Sequence, residues 1–444
     1  MLRLISNIII TQQPTAEYPS RSGVLTLNFI NDCEIKSSWK NLTTTAKLIF
    51  PKKVWVQTDK GLVNWTMQDL YANTHSDQAP ILLRGDRISI NLGYYYNPNG
   101  TGNAPTMNEE FNGFITRINP KMPIEIECED NMWLLKQAQC PNKVFPKGQY
   151  NVQSIIQYLL KNQVLPLPSD PQYKYITTVI KPALAQINVI NGVGASENIE
   201  TNVGDFRTQN ETIAQVLFRL RKDYKLDCFF RPTLTNGKPT AFNNLYVSGI
   251  VYYPSDYILP NGKYFGSVYN FQQNVIDTND LIYLRKEDVR LGIKAYSVGK
   301  YEIEGTNSAG RFRTKQKRLE TTVGDSDGDI RTQFFWAATN ESPDLDLKTL
   351  TDLATQRLLK LKYDGWRGSF TSFGLPYCQH GSAVQLVDTI IPERTGTYLV
   401  KSVTVKFGMN GFRRIVEPHL RIDLPIYTTD QNGNKEQVNL QNGL

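Results

Sequence analysis

A chain of 444 residues is too long for one ordinary hydrophobic core, and its length sets roughly two to four domains. With 40% hydrophobic and 20% charged residues it is not a disordered polymer, and 23 Tyr with 19 Phe lean toward β structure. A net charge of +7 would suit an anionic partner if it were concentrated, but the bases are spread along the chain, and the tightest cluster, Arg311 to Arg318, alternates as one face of an exposed strand does.

The opening MLRLISNIII has one basic residue and a short apolar run followed by polar Thr11, Gln12 and Gln13. It predicts a first strand rather than a cleaved leader, and no stretch approaches the ~20 consecutive apolar residues of a membrane span. Residues 35–51 alternate β-branched and aromatic side chains up to Pro51 and predict a strand; residues 52–65 add Val54, Val56 and a turn at Lys60 and Gly61. Ile88, Ile90 and Leu92 then share one face, a Gly/Asn/Pro loop follows from Tyr96 to Asn108, and Gly113 to Ile118 resumes the sheet.

Past residue 140 the period changes from two to 3.6. Val152, Ile155, Ile156 and Leu159 fall at helical spacing. Thr208 and Glu211 read as a capping box, and Ile213, Val216, Leu217 and Leu220 as the buried stripe of a helix over 211–223. Leu226 to Phe230, a turn at Thr235 to Lys238, and Leu245 to Tyr253 form a strand-turn-strand unit behind it. A further helix over 347–362 places Leu347, Leu350, Ala354, Leu358 and Leu361 on one face.

From Asp364 to Ile422, Gly374, Gly381, Gly396 and Gly411 punctuate runs in which every second residue is apolar. Tyr398 and Val400 are out of phase with Val403 and Val405, which predicts a β-bulge between them. The order of glycine, alternating strand, loop and glycine-aromatic strand occurs at Gly85 to Ile118 and again at Gly381 to Val400, a sign of a duplicated β domain. It pairs Ile88 and Ile90 with Val384 and Leu386, and Phe114 with Tyr398. The fold class is mainly β with an α+β insert. Its predicted parts are a β-barrel domain at 1–139, an α/β insert at 140–275, a second β-barrel domain with one packed helix at 276–427, and a polar tail at 428–444.

Each candidate for chemistry has a plainer reading. Five scattered cysteines, Cys33, Cys128, Cys140, Cys228 and Cys378, show no metal-ligand spacing and read as small core residues of a reduced protein. Asp325, Asp327 and Asp329 resemble the start of a calcium loop, but the position of its bidentate glutamate is Trp336, so they read as an acidic turn. His75, His380 and His419 stand apart and lack a nucleophile motif. The glycine turns at 191–195 and 202–205 have no P-loop lysine. Glu127, Glu129 and Asp130 could serve as a glycosidase pair, but they introduce the apolar run Met132 to Leu135 and read as a helix N-terminus. No catalytic residue, cofactor or metal site is predicted.

The glycine-bounded hairpin, the Gly396-x-Tyr398-x-Val400-x-x-Val403 pattern and the Gly411-Phe412 turn into a last apolar strand resemble the C-terminal tube domain of phage baseplate hub proteins, the late-control or tail-hub family. Phe111 to Gln137 and Asn274 to Ser297 are similar to segments at matching places in those hubs, and the likeness spans about Ile35 to Ile422. It implies two related tube-type β-barrel domains per chain and a homotrimer closing a pseudo-hexameric ring. It further implies a tail spike and a tail tube or distal baseplate protein as partners, a channel for DNA or effector passage, and a place in the virion tail. The alternatives are a cell-wall-degrading tail hydrolase, which lacks a separable module, and a carbohydrate-binding β protein that would use Tyr94, Tyr95 and Tyr96. The expected subunit seam is formed by Gly292 to Glu304 and Thr314 to Thr322, with Val298, Tyr301, Arg313 and Lys315 as interface candidates.

Overall fold

The computed structural model describes residues 2–15, 17–51, 53–58, 61–66, 80–96, 105–119, 123–146, 149–190, 206–224, 226–235, 238–248, 267–306, 312–334, 347–421, 426–429 and 435–438. The N-terminal strands are β1 (Leu2–Thr11), β2 (Val24–Leu27), β3 (Asp32–Ser38), β4 (Thr45–Phe50), β5 (Lys53–Thr58), β6 (Gly61–Thr66), β7 (Arg87–Tyr96), β8 (Thr106–Asn119) and β9 (Ile124–Glu129). A middle region carries β10 (Lys143–Phe145), β11 (Asn188–Ile190), β12 (Phe206–Thr208), β13 (Asp227–Phe230), β14 (Thr233–Thr235), β15 (Lys238–Ala241) and β16 (Asn244–Ser248). The C-terminal part holds β17 (Ser267–Asn270), β18 (Val275–Asp277), β19 (Ile282–Leu284), β20 (Leu291–Thr306), β21 (Phe312–Gly324), β22 (Asp329–Phe334), β23 (Gly365–Arg367), β24 (Phe370–Phe373), β25 (Ala383–Val387), β26 (Gly396–Gly408), β27 (Gly411–Arg421), β28 (Ile426–Thr429) and β29 (Lys435–Val438).

The protein is mainly β, and one sheet dominates it. Fifteen strands join in the order β18-β24-β27-β26-β3-β4-β9-β8-β7-β1-β2-β5-β6, with β25 branching from β26 and carrying β17. The N- and C-terminal strands therefore share one ladder. They meet where β26 pairs antiparallel with β3 from Ser402 opposite Ser38 to Gly408 opposite Asp32. Burial follows the period of two: Ile8, Ile10, Ile88, Ile90 and Leu92 lie in the same apolar cluster as Val384, Leu386, Tyr398, Val403 and Val405. Each such side chain contributes about 1.5–3 kcal/mol on leaving water. Register shifts around Val400 in the β26–β27 ladder let both Tyr398 and Val403 point inward, as the phase slip in the sequence predicts.

The two predicted equivalent hairpins are both antiparallel, with Arg87 opposite Phe114 and Val384 opposite Tyr398. Their outer neighbours run in opposite senses: β1 is antiparallel to β7, whereas β17 is parallel to β25. Because β17 lies within the span read as insert, the large sheet extends to residues before 276.

Two local expectations are corrected. Residues 35–51 do not form one strand; polar Lys40 and Asn41 turn the chain after Ser38, with the Asn41 amide donating to the Ser38 carbonyl at 3.1 Å, and give β3 and β4. Pairing opposite β7 already begins at Thr106, and Asn108 is buried in β8, so the loop after Tyr96 is shorter than its polar composition suggests.

The insert has its own core, which reaches back before residue 140 to take in the Met132–Gln137 helix. Helices Met132–Gln137, Val152–Lys161 and Ile213–Tyr224 bury Leu134, Leu135, Ile155, Ile156, Leu159, Val216 and Leu220 against Phe206, Cys228 and Leu245. Strand β16 pairs with β11 and β13 inside this unit. The helix starts one residue after Thr212, and the capping box is Thr212 with Gln215: the Gln215 amide donates to Thr212 Oγ1 at 3.3 Å and the Thr212 amide to Gln215 Oε1 at 2.7 Å. Thr208 is instead buried in β12 and donates to the Pro141 carbonyl, while Glu211 pairs with Arg219 at 2.9 Å. A third, smaller cluster packs Leu350 and Ala354 of the Leu347–Leu361 helix on Ile293 and Ala295 of β20.

Candidate functional site

The four interface candidates fall on one long hairpin. In the β20–β21 ladder Val298 lies opposite Arg318, Tyr301 opposite Gln316, Lys315 opposite Glu302 and Arg313 opposite Gly305, and the register breaks between Val298 and Tyr301. The side chains of all four lie outside the described residues. The expectation that Gly292 to Glu304 forms an edge is corrected over its first part, because β20 pairs with β21 on one side and with β22 on the other from Leu291 to Tyr296. Among the described residues an open edge remains along β20 beyond Tyr296 and along the outer side of β21.

The alternative chemical sites come apart in the structure. Asp325 accepts from Lys362 Nζ at 2.6 Å and from the Leu291 amide, Asp327 pairs with Arg290, and Asp329 with Arg331 at 3.3 Å, so each carboxylate of the turn faces a cation of its own. Glu127 and Glu129 lie on β9 beside buried Ile126 and Cys128, paired with Arg117 at 3.9 Å and Lys136 at 2.6 Å. Asp130 faces inward, where it accepts from the Thr44 amide at 2.9 Å and the Met132 amide at 3.0 Å; burial pushes its carboxyl up to about 7. Tyr94 is not a free sugar platform, since its hydroxyl donates to the Phe412 carbonyl at 3.0 Å and accepts from the Gly374 amide at 3.3 Å. Tyr96 is exposed, and His75 and Trp336 lie outside the described residues.

What the structure does bring together is a buried polar junction between the insert and both halves of the sheet, around a cavity of about 40 Å³. Arg414 on β27 donates to Glu110 on β8 at 2.7 Å, and to the carbonyls of Gly374 and Cys378 at 3.0–3.1 Å. Burial raises the Glu110 carboxyl above its usual range, and the neighbouring guanidinium offsets part of that rise. From the insert, Arg231 donates to the Gly381 carbonyl. In return Gln379 donates to the Pro232 carbonyl at 3.0 Å, and His380 Nε2 lies 3.0 Å from the Phe230 carbonyl. Burial and Arg231 hold His380 down at about 3, while burial pushes the Cys378 thiol up to about 11. Both shifts run opposite to those of a thiolate–imidazolium couple, and the hydrogen bonds of the cluster tie the insert to the loop at 379–381.

Period-two reading could have exposed part of this junction. Arg414 lies in phase with buried Phe412 and Val416, so a charge on an apolar phase was visible in the sequence. Its partner Glu110, 304 residues away, was not.

No protein-family model and no curated protein matches this sequence. Its backbone is similar to the 43 kDa tail protein of prophage MuSo2 from Shewanella oneidensis, with TM-score 0.47 and 11% identity over 93% of this chain and 97% of that one. It is similar also to the tail protein from Neisseria meningitidis MC58, with TM-score 0.45 and 11% identity over 95% and 97%. A third similar structure is the E. coli c3393 protein, a component of the type VI secretion system, with TM-score 0.40 and 9% identity over 92% and 76%.

Proposed function

We propose that this chain is a structural hub subunit of a phage-type tail or baseplate, three copies of which close a pseudo-hexameric ring between the tail tube and the central spike. The observation that supports it most is the convergence of the segments that resemble tail hubs. Phe111 to Gln137 and Asp364 to Ile422, far apart in sequence, are held in one sheet, where β3 and β4 lie between β9 and β26, and Glu110, the residue before Phe111, pairs with Arg414. Such a body suits a part that transmits load and encloses a channel for DNA or effectors. On this reading residues 1–139 and 276–427 are two tube-type domains, and the long β20–β21 hairpin supplies the subunit seam through Val298, Tyr301, Arg313 and Lys315. An open strand edge of this kind is a liability that a neighbouring copy removes. The protein works by assembly and not by hydrolysis, within the virion tail and without membrane insertion.

Sedimentation of the full chain, alone and with its spike partner, tests this reading: a trimer is expected, weakened by Val298→Asp with Tyr301→Asp while each chain stays folded. A monomer at high concentration that stays monomeric with the spike overturns it. Clearing of a peptidoglycan zymogram that Glu127→Gln abolishes would favour the hydrolase instead.

A further inference from the structure

On the flank of the insert, where the turn between β3 and β4 meets the Ile213–Tyr224 helix, lies an open groove of about 390 Å³. Its walls include Lys36, Asn41, Leu42, Thr43, Phe218 and Arg221, with no carboxylate among them. Two other surface grooves do carry acids, Asp32 and Glu34 in one and Asp280 and Glu417 in the other. Phe218 sits opposite the buried stripe of its helix and is 57% exposed. Arg221 follows it by three residues, so the ring and the guanidinium are neighbours on one helix face. Lys36 reaches Glu34 at 2.8 Å, but its side chain is 59% exposed, and an ion pair in water is worth little enough for the ammonium to turn to another acid.

We propose that this groove docks an acidic peptide segment of a partner protein, one in which an aromatic or aliphatic side chain is flanked by carboxylates. The apolar anchor covers Phe218 and Leu42, the carboxylates meet Arg221 and Lys36, and Asn41 and Thr43 offer hydrogen bonds to the peptide backbone. Charge complementarity selects the sign of the partner, and the exposed ring selects an apolar anchor. A single-stranded nucleic acid fits less well: it needs a track of cations and successive stacking faces, whereas here one ring stands alone and Asp227, which pairs with Lys40 at 3.1 Å, also lies in the field of Arg221. The inference is independent of the ring and its β20–β21 seam.

The test is fluorescence anisotropy of the full chain against a fluorescein-labelled peptide with one phenylalanine between aspartate and glutamate residues. Saturable binding is expected, weakening with salt and reduced roughly tenfold by Arg221→Glu and by Phe218→Ser. Phe218 is exposed and Arg221 half-buried, and unchanged thermal unfolding of the variants separates lost binding from lost fold. The proposal is overturned if no saturable binding occurs, or if binding survives both substitutions. It also fails if labelled oligothymidylate binds in the peptide's place and loses binding on the same substitutions. Self-association of the chain that Arg221→Glu abolishes would assign the groove to a second copy and overturn it as well.

Discussion

Among the described residues two arginine–carboxylate pairs are buried, Arg21 with Asp86 and Arg414 with Glu110, and their surroundings differ in reach. Arg21 also donates to the carbonyls of Gln13, Pro80 and Ile81, and Asp86 accepts from the amides of Gln13 and Leu83, so every partner belongs to the N-terminal strands and their loops. Arg414 spans the molecule, joining β27 to β8 and to the loop that grips the insert. The same chemistry thus acts once as a local staple and once as a link between regions. A buried charge left alone is costly, whereas removing both charges together can be nearly neutral.

The largest effect is expected from Arg414→Met, which strands Glu110 and should cost about 3–5 kcal/mol in urea unfolding. Glu110→Leu with Arg414→Met should recover most of that loss; a double variant as unstable as the single would show that packing, not the stranded charge, sets the cost. Arg21→Met should cost about 3 kcal/mol. Its faster amide hydrogen exchange should stay near residues 80–86, while that of Arg414→Met spreads to β3 and the insert. Spreading in both variants would show that the two pairs have the same reach.

Acid titration sharpens the comparison at the junction. His380 is neutral in the fold down to about 3, but the unfolded chain takes up its proton near pH 6.5, so stability is lost as pH falls through that window. His380→Gln should flatten the fall in melting temperature between pH 6.5 and 4. Asp130 acts in the opposite sense: its carboxyl, raised from 3.8 to about 7, loses stability as pH rises between those values. Asp130→Asn should therefore gain on the wild type from pH 5 to pH 8. The smallest effect is that of Thr212→Ala, about 1 kcal/mol through the lost helix cap; an equal loss from Thr208→Ala by way of the same helix would revive the earlier cap assignment.

Local periodicity made the elements readable. The stripe Ile213, Val216, Leu217 and Leu220 located its helix, and the slip between Val400 and Val403 located an irregularity in β26, because each depends on neighbours a few residues away. The cap was placed four residues early because Thr208-x-x-Glu211 and Thr212-x-x-Gln215 carry the same signal, and only the packing of Thr208 under Pro141 decides between them. The polar junction was not legible, since Glu110, Arg231, His380 and Arg414 acquire their meaning from contacts spanning 150 to 304 residues.

The ladder between β3 and β26 has a temporal side. Ser38 and its partner Lys401 are 363 residues apart, an interval that a ribosome covers in roughly 20–70 s. Throughout that time β3 offers one row of amides and carbonyls with no strand of its own to receive them. The charges it carries outward, Glu34 and Lys36, are what keep such a waiting edge from joining other nascent chains. Synthesis order, as much as final packing, therefore explains why a strand at the centre of the finished sheet is marked like one at its border.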